Sequence, residues 1–116
     1  MEKIREFFDG YTNIYFMTEM LTKIEVNSLL RDVDVFVSLH RAEGFGLGMA
    51  EAMLNGTPCI ATNWSANTEF MDEKSACMVD YQLIELTEDI GPFKAGNRWA
   101  DADVAQAAEY MKRLYA

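Results

Sequence analysis

Short apolar segments alternate with helical patterns along the middle of the chain. A capping box formed by Thr22 and Glu25 precedes apolar residues at helical spacing, and residues 46–55 predict a second, almost wholly apolar helix. Residues 33–39 are a nearly continuous apolar run with β-branched residues, as buried parallel strands are, and residues 57–62 and 76–81 predict two more buried strands. We expect residues 33–39 to form a central strand of the sheet, buried on both faces.

Weaker patterns precede and interrupt this region. Residues 2–8 predict a helix that ends at Asp9-Gly10, and Asn13–Met17 predicts a short strand because it is rich in aromatic and β-branched residues. Asn63–Asp72 is a polar connection with room for one helical turn. Gly56 is expected to cap the end of helix 46–55 in a left-handed conformation.

The C-terminal part predicts one irregular segment and one helix. Residues 82–100 are expected to be mostly irregular, with turns at Gly91-Pro92 and Gly96-Asn97. Asp101 is expected to cap the helix, and Asp103 also has the character of a cap. The helix carries an apolar stripe of Val104, Ala107, Ala108, Met111 and Leu114.

These patterns together predict an α/β fold class. Strands that alternate with helices through short connections form a parallel sheet covered by helices, so we expect one Rossmann-like sheet within a single domain over residues 1–116. Of the 116 residues, 50% are hydrophobic and 25% are charged, which suffices for one hydrophobic core.

The chain is strongly acidic, with a formal net charge of −9. This charge argues against a nucleic-acid partner and against a polybasic membrane anchor, because both depend on clustered positive charge. The negative net charge is still compatible with a small anionic ligand, because the attraction of nearby backbone amides can exceed the repulsion by distant charges. No apolar run reaches the length of a membrane span, and the N-terminus lacks the apolar region of a signal peptide.

The cysteines and the histidine limit the metal and redox chemistry. Cys59 and Cys77 each lie in a short apolar segment, and we expect buried thiols rather than a disulfide or a metal pair. Without an export signal, the expected location is the reducing cytoplasm. His40 is the only histidine, which excludes a metal site built on two histidines.

The segment EGFGLGMAE, residues 43–51, places three glycines between two carboxylates directly after a predicted strand. Ligands of parallel sheets bind beyond the carboxyl ends of the strands, and residues 40–44 form such a loop. Glycines there let a ligand approach the main chain. Three amides would be unpaired donors at the helix start, where the dipole favours an anion such as phosphate: those of Phe45, Gly46 and Leu47. For the glycines alone, a tight strand-to-helix turn is the alternative.

Glu51 lies at the edge of the most apolar stripe of the predicted helix, four residues after Leu47 and three before Leu54. A buried carboxylate is costly unless donors surround it. Two interpretations therefore stay open. Glu51 either pairs with a basic residue or faces water at the rim, or it accepts hydrogen bonds from a ligand.

The spacing Gly44-x-Gly46-x-Gly48 also allows a dinucleotide-binding fingerprint, which fits poorly. That fingerprint follows its strand with little delay, whereas residues 40–43 intervene here. It also requires an acid at the end of the next strand, and none occurs there before Glu69.

The segment from Ser38 to Asn63, SLHRAEGFGLGMAEAMLNGTPCIATN, resembles retaining glycosyltransferases of family 4 (glycosyltransferase group 1), which have the GT-B architecture. Glu43 and Glu51 match the Glu-x(7)-Glu motif of that family, and Gly56–Thr62 matches the glycine and the buried strand that follow it. Further similarities, which extend the likeness over roughly residues 14–116, lie at Asn67–Glu69, Val79–Tyr81 and Arg98–Asp101.

The resemblance implies a site for a nucleotide-sugar donor. Glu51 would accept hydrogen bonds from the ribose diol, and Glu43, the expected catalytic residue, would contact a hydroxyl of the donor sugar. Both would position and stabilise rather than transfer protons. The main chain would lie near the sugar and the diphosphate at Gly44, Phe45, Gly46 and Leu47. His40 is a further candidate for substrate binding.

Other side chains near the motif are weaker candidates. Arg41 flanks the site and could contact sugar or phosphate, although an exposed loop position is an equal alternative. Trp64 and Trp99 could line a pocket for the base or the acceptor, but core packing is the more common role of tryptophan. Glu69 is either a ligand contact or a helix-capping acid.

The implied activity is metal-independent transfer of a sugar from a nucleotide diphosphate sugar to a glycan or lipid-linked acceptor, with the anomeric configuration retained. The resemblance implies no cofactor. Enzymes of this family typically build surface polysaccharides on the cytoplasmic side of a membrane, so peripheral membrane association of the full enzyme is compatible.

The resemblance implies that the sequence corresponds to the donor half of such an enzyme. The arginine and lysine that neutralise the leaving diphosphate in the family are expected upstream of residues 2–8, and the N-terminal acceptor domain is expected to lie outside this sequence. We therefore expect the chain to be inactive alone, and a sheet edge left open would favour oligomers. The second hypothesis is a non-catalytic nucleotide-sugar-binding or assembly module that keeps the fold without turnover.

Overall fold

The computed structural model describes residues 2–115, with side chains from residue 3 onward. Within this range the helices are α1 (Glu2–Phe7), α2 (Lys23–Asp32), α3 (Leu47–Leu54) and α4 (Val104–Tyr115), with a 3₁₀ helix at Ala66–Glu69. The strands are β1 (Phe36–Ser38), β2 (Cys59–Thr62), β3 (Cys77–Val79), β4 (Tyr81–Glu85) and β5 (Arg98–Ala102).

Strands β1, β2 and β3 form a parallel sheet with β2 in the middle. Phe36 lies opposite Cys59, and Ile60 lies opposite Cys77. All four residues of β2 are buried, as the apolar run predicts. The predicted α/β class, a Rossmann-like parallel sheet flanked by helices, is confirmed.

Helices cover both faces of the sheet because successive residues of β2 point to opposite sides. Cys59 and Ala61 face α2 and α3 and pack in one core cluster with Leu30, Met49, Ala52, Met71 and Met78. Ile60 faces the other side, where it packs with Val79 and with Ala107 of α4. The carboxyl ends of the three strands therefore lie together at one edge of the sheet, between the two helical layers.

The prediction that residues 33–39 form a central strand buried on both faces is wrong. Strand β1 has three residues and lies at an edge of the described sheet. Helix α3 contacts β1, but α4 packs on β2 and β3, so Val37 keeps 38% of its surface exposed. An apolar run favours a buried strand, but it indicates neither the order of the strands nor which faces the helices cover.

The strand predicted at Asn13–Met17 does not form. This segment has no regular structure, and Tyr15 and Met17 are 84% and 63% exposed. An extended segment becomes a strand only when a neighbour accepts and donates its backbone hydrogen bonds, and no described residue does so here. Its aromatic residues instead form a local group with α1, in which the rings of Phe8 and Phe16 are 6.5 Å apart.

Residues 82–100 are not mostly irregular. Strands β4 and β5 form an antiparallel hairpin in which Leu83 lies opposite Ala100. The predicted turns are present inside the long loop of this hairpin, where Gly91 and Gly96 have φ values of 56° and 90°. The sequence signal is weak, because the apolar–polar alternation of Tyr81, Gln82 and Leu83 is broken by the exposed Ile84.

Asp101 does not cap α4, because it lies within β5. Asp103 precedes the helix instead, and its Oδ1 accepts the amide of Gln106 at 3.1 Å. Only Ala107 of the predicted apolar stripe is buried, and Val104 is 67% exposed. The apolar stripe of α4 is therefore wider than the part of the helix that packs against the sheet.

Several local predictions are confirmed. Helix α1 lies within the predicted residues 2–8, and the capping box of Thr22 and Glu25 has both of its hydrogen bonds. Gly56 follows α3 with a φ of 75°. Helix α3 itself is less buried than expected, since only Met49 and Ala52 are fully buried on it. None of the helices within residues 2–115 has the length and apolar character needed to cross a membrane.

Candidate functional site

The loops that follow β1 and β2 are joined at the carboxyl edge of the sheet. The hydroxyl of Ser65 donates to the carbonyl of Glu43 at 2.7 Å and accepts the amide of the same residue at 3.2 Å. A second link joins Nε2 of His40 to the carbonyl of Trp64 at 2.7 Å. Side chains rather than strand pairing therefore hold the loop that carries Glu43 against the loop after β2.

Gly46 begins α3 in a conformation that only glycine adopts without strain. Its φ is 93°, and a β-carbon at this position would lie 2.9 Å from Cε of Met49 and 3.3 Å from Cβ of Asn67. The backbone angle therefore requires glycine, and the space is tight, because a β-carbon would displace the flexible end of Met49 and push against Asn67. Gly44 differs, because its φ lies outside the left-handed region and a β-carbon there would meet nothing within 4 Å.

The start of α3 has backbone donors that the described residues do not use. Gly46 occupies the N-cap position and provides no side chain that could cap the helix. Among the described residues, no backbone hydrogen bond is donated by the amides of Phe45, Gly46 and Leu47, and no side chain accepts one from them. Free amides at a helix start are the usual means of binding an anion.

Glu51 is half-buried in the middle of α3. Its main-chain carbonyl accepts the amide and the side-chain Nδ2 of Asn55, at 3.1 and 2.8 Å. Its carboxylate takes part in none of the ion pairs of the described residues, which join Arg41 to Asp101, Lys94 to Asp89 and Lys112 to Glu109. The alternative in which Glu51 pairs with a basic residue is therefore not realised in this part of the chain.

Glu43 is also half-buried, and Ser65 holds both polar groups of its main chain. Its carboxylate belongs to none of those ion pairs. Along the chain, the loop and the first turns of α3 thus carry two half-buried acids on either side of a set of free amides. Carboxylates can accept hydrogen bonds from hydroxyl groups, and free amides can donate hydrogen bonds to an anion.

His40, predicted as a binding residue, has internal partners for both ring nitrogens. Nε2 lies 2.7 Å from the carbonyl of Trp64, which can only accept, so this nitrogen carries a proton. Nδ1 lies 3.4 Å from Oγ of Ser38. The ring therefore braces the loop after β1 against the loop after β2, and a role in ligand contact stays a prediction.

The hairpin packs against the loop after β1 through Arg41. Its guanidinium lies 5.0 Å from the ring centroid of Trp99, and its carbonyl accepts the amide of Ala100 at 3.0 Å. The ion pair of Arg41 with Asp101 is longer, at 3.7 Å, and exposed. Trp64 packs on Tyr81 with centroids 5.3 Å apart. Both tryptophans thus have packing partners, and Glu69 is exposed at the end of the 3₁₀ helix.

Sequence reasoning did not single out Ser65, and it gave Asn67 only as part of the resemblance, without a role for its side chain. Asn67 is fully buried, and its Nδ2 donates to the carbonyl of Thr62 at 3.0 Å. Its Oδ1 and the hydroxyl of Thr62 have no hydrogen-bond partner, although buried polar atoms nearly always have one. The type of a polar residue indicates neither the burial of Asn67 nor the link from Ser65 to a residue 22 positions away.

An open cleft of about 490 Å³ lies beside the loop that follows β2. Its lining includes Asn63, Thr68, Met71 and Lys74. Among residues 2–115, no group of three or more His, Cys, Asp or Glu side chains is arranged to hold a metal ion. Cys59 and Cys77 are free thiols, the first buried and the second half-buried.

Comparison with known proteins identifies the family. The family model described as glycosyl transferases group 1 matches residues 1–91, which include the sheet, α3 and both glutamates but not β5 or α4. No curated protein and no solved structure matches the chain. The match covers well over half of the 116 residues, and the chain therefore belongs to the glycosyl transferases group 1.

Proposed function

We propose that this chain binds a nucleotide diphosphate sugar and serves as the donor domain of a retaining, metal-independent glycosyltransferase of the GT-B type, similar to family 4. The observation that carries the proposal is the start of α3. There, free amides at Phe45, Gly46 and Leu47 stand between Glu43 and Glu51, two half-buried acids.

The amides suit the diphosphate. The N-terminus of a helix carries a partial positive charge and unpaired donors, which favour phosphate even in a chain with a net charge of −9. Gly46 supports this role because glycine has no side chain that could cap the helix and occupy the same donors.

The acids suit the hydroxyl groups of the ribose and the sugar. A carboxylate that accepts a hydroxyl contributes about 1.5–3 kcal/mol when the geometry is good. Glu51 is assigned to the ribose diol and Glu43 to the donor sugar, as the motif implies. The absence of a described ion-pair partner for either acid supports a ligand as the source of donors.

On this proposal, the acceptor is a glycan or a lipid-linked sugar, and a second domain supplies its binding site. A transfer assay with and without an added N-terminal domain of a group 1 enzyme separates a working donor half from a module that binds without turnover. Transfer that appears only with the added domain supports the donor-half assignment. Donor binding without transfer in either case supports the binding module.

Isothermal titration calorimetry tests the site assignment. The probes are UDP-glucose, UDP-N-acetylglucosamine and GDP-mannose, each measured against the matching nucleoside diphosphate. We expect Glu51→Gln to abolish binding and Glu43→Gln to weaken the binding of the sugar nucleotide by tenfold or more, since about 1.4 kcal/mol corresponds to a factor of ten. Glu88→Gln, at an exposed acid in the hairpin loop, is the matched control. Equal dissociation constants for all variants would reject the assignment.

A further inference from the structure

Ser65 has a backbone conformation that is unusual for any residue with a side chain. Its φ is 81° and its ψ is −160°, a region occupied almost only by glycine. Among the described residues other than glycine, no other has a positive φ. A conformation of this kind persists only where the surroundings enforce it, and it concentrates at functional sites.

Two sets of hydrogen bonds enforce it here. The carbonyl of Ser65 accepts both the amide and the hydroxyl of Thr68, at 3.1 and 2.7 Å. The hydroxyl of Ser65 faces the opposite way in the chain and holds the carbonyl and the amide of Glu43, at 2.7 and 3.2 Å. The strained backbone therefore directs one hydroxyl toward one residue of the neighbouring loop.

We propose that Ser65 is a positioning residue that fixes the main chain of Glu43 and thereby determines where this carboxylate meets the donor sugar. The inference rests on the proposed function, because it assigns the sugar contact to Glu43. Residues 40–46 belong to no strand or helix, so their main chain depends on such links for a fixed position. The Ser65 hydroxyl holds Glu43 through the amide and the carbonyl on the two sides of its α-carbon. A small displacement of the Glu43 carboxylate would sharply lower its contribution to binding the sugar.

Two substitutions separate the hydroxyl from the backbone strain. Ser65→Gly removes the hydroxyl and suits the positive φ, so it folds at least as well as the parent chain. Ser65→Ala removes the hydroxyl and keeps the strain. We expect both variants to lose about five- to tenfold in affinity for the sugar nucleotide while affinity for the nucleoside diphosphate changes less than twofold, since the lost contact concerns the sugar alone.

Hydrogen exchange of the Glu43 amide provides a readout that needs no ligand. The amide is bound to the Ser65 hydroxyl at 3.2 Å, so its exchange should accelerate at least several-fold in Ser65→Gly while exchange within α2 stays unchanged. Thr68→Val, which removes a hydroxyl bond to Ser65 without touching Glu43 directly, is the control and should have the smaller effect.

The experiment is calorimetry with UDP-glucose, UDP-N-acetylglucosamine and GDP-mannose against the matching diphosphates, combined with this exchange measurement. Selective loss of sugar-nucleotide affinity in Ser65→Gly supports the inference. If the parent chain and Ser65→Gly bind the probes equally well, the inference alone is overturned. The same holds if affinity for the sugar nucleotide falls only in Ser65→Ala. A parent chain that binds none of the probes overturns the proposed function and the inference with it.

Discussion

Cβ of Asn67 lies 3.3 Å from the position that a β-carbon on Gly46 would occupy. The buried asparagine thus packs against the residue that begins α3, and the φ of 93° at Gly46 adds backbone strain to any substitution. We predict that Gly46→Ala destabilises the fold by about 1–3 kcal/mol. Urea denaturation measures this change. Gly44→Ala is the matched control and should lie within about 0.5 kcal/mol of the parent, so equal losses at both positions would contradict the account.

The capping box at the start of α2 makes the helix sensitive to pH. The amide and then the hydroxyl of Thr22 hold the pKa of Glu25 below its ordinary value of 4.5. A carboxyl whose pKa is lowered by folding stabilises the fold above the unfolded value, and this stabilisation disappears as the pH falls through the folded value. Thr22→Ala keeps the backbone amide, which is the larger cause, and removes the hydroxyl, so we predict that it raises the pKa of Glu25 only part of the way toward 4.5, as measured by NMR titration. An unchanged pKa would contradict this prediction.

The two thiols should differ in reactivity. Burial, with a smaller contribution from Cys77, raises the pKa of Cys59, and this residue is only 1% exposed. The thiolate is the reactive form, so Cys59 should be alkylated by iodoacetamide far more slowly than the half-buried Cys77 in the folded chain. Mass spectrometry of time points at pH 8 measures both rates in one sample. In urea the two rates should become equal, and equal rates in the folded chain would show that β2 is not buried.

Contact between Arg41 and Trp99 should contribute more than the ion pair between Arg41 and Asp101. The guanidinium lies 5.0 Å from the indole centroid, whereas the ion pair spans 3.7 Å between exposed groups. We predict a loss of about 0.5–1 kcal/mol for Arg41→Ala. Asp101→Asn should change stability by less than about 0.5 kcal/mol. Both are read from urea denaturation, and a larger effect of Asp101→Asn would reverse the ranking.

The elements that were predicted correctly depend on local signals. The capping box of Thr22 and Glu25 and the left-handed Gly56 follow from residue type and spacing alone. Strand β2 follows from its apolar run because it lies in the centre of the sheet and both of its faces are covered. The conformation of such segments is fixed by neighbouring residues or by burial on all sides, so it can be predicted from the sequence.

The predictions that failed concern pairing between distant segments. Asn13–Met17 has the composition of a strand but no described partner, and β4 pairs with β5 across a long loop that composition alone does not reveal. At the candidate site, the sequence indicated Glu43, Glu51 and the glycines, whose types are unusual after an apolar strand. It did not indicate Ser65, whose role depends on a bond to a residue 22 positions away.

The most direct test of the donor-site proposal is an NMR titration of the ¹⁵N-labelled chain with UDP and GDP, followed by the matching sugar nucleotides. The account predicts that the largest amide shifts occur at Phe45, Gly46 and Leu47, and that these shifts disappear in Glu51→Gln. Shifts confined to the cleft near Asn63 and Lys74, or no shifts at millimolar nucleotide, would contradict it.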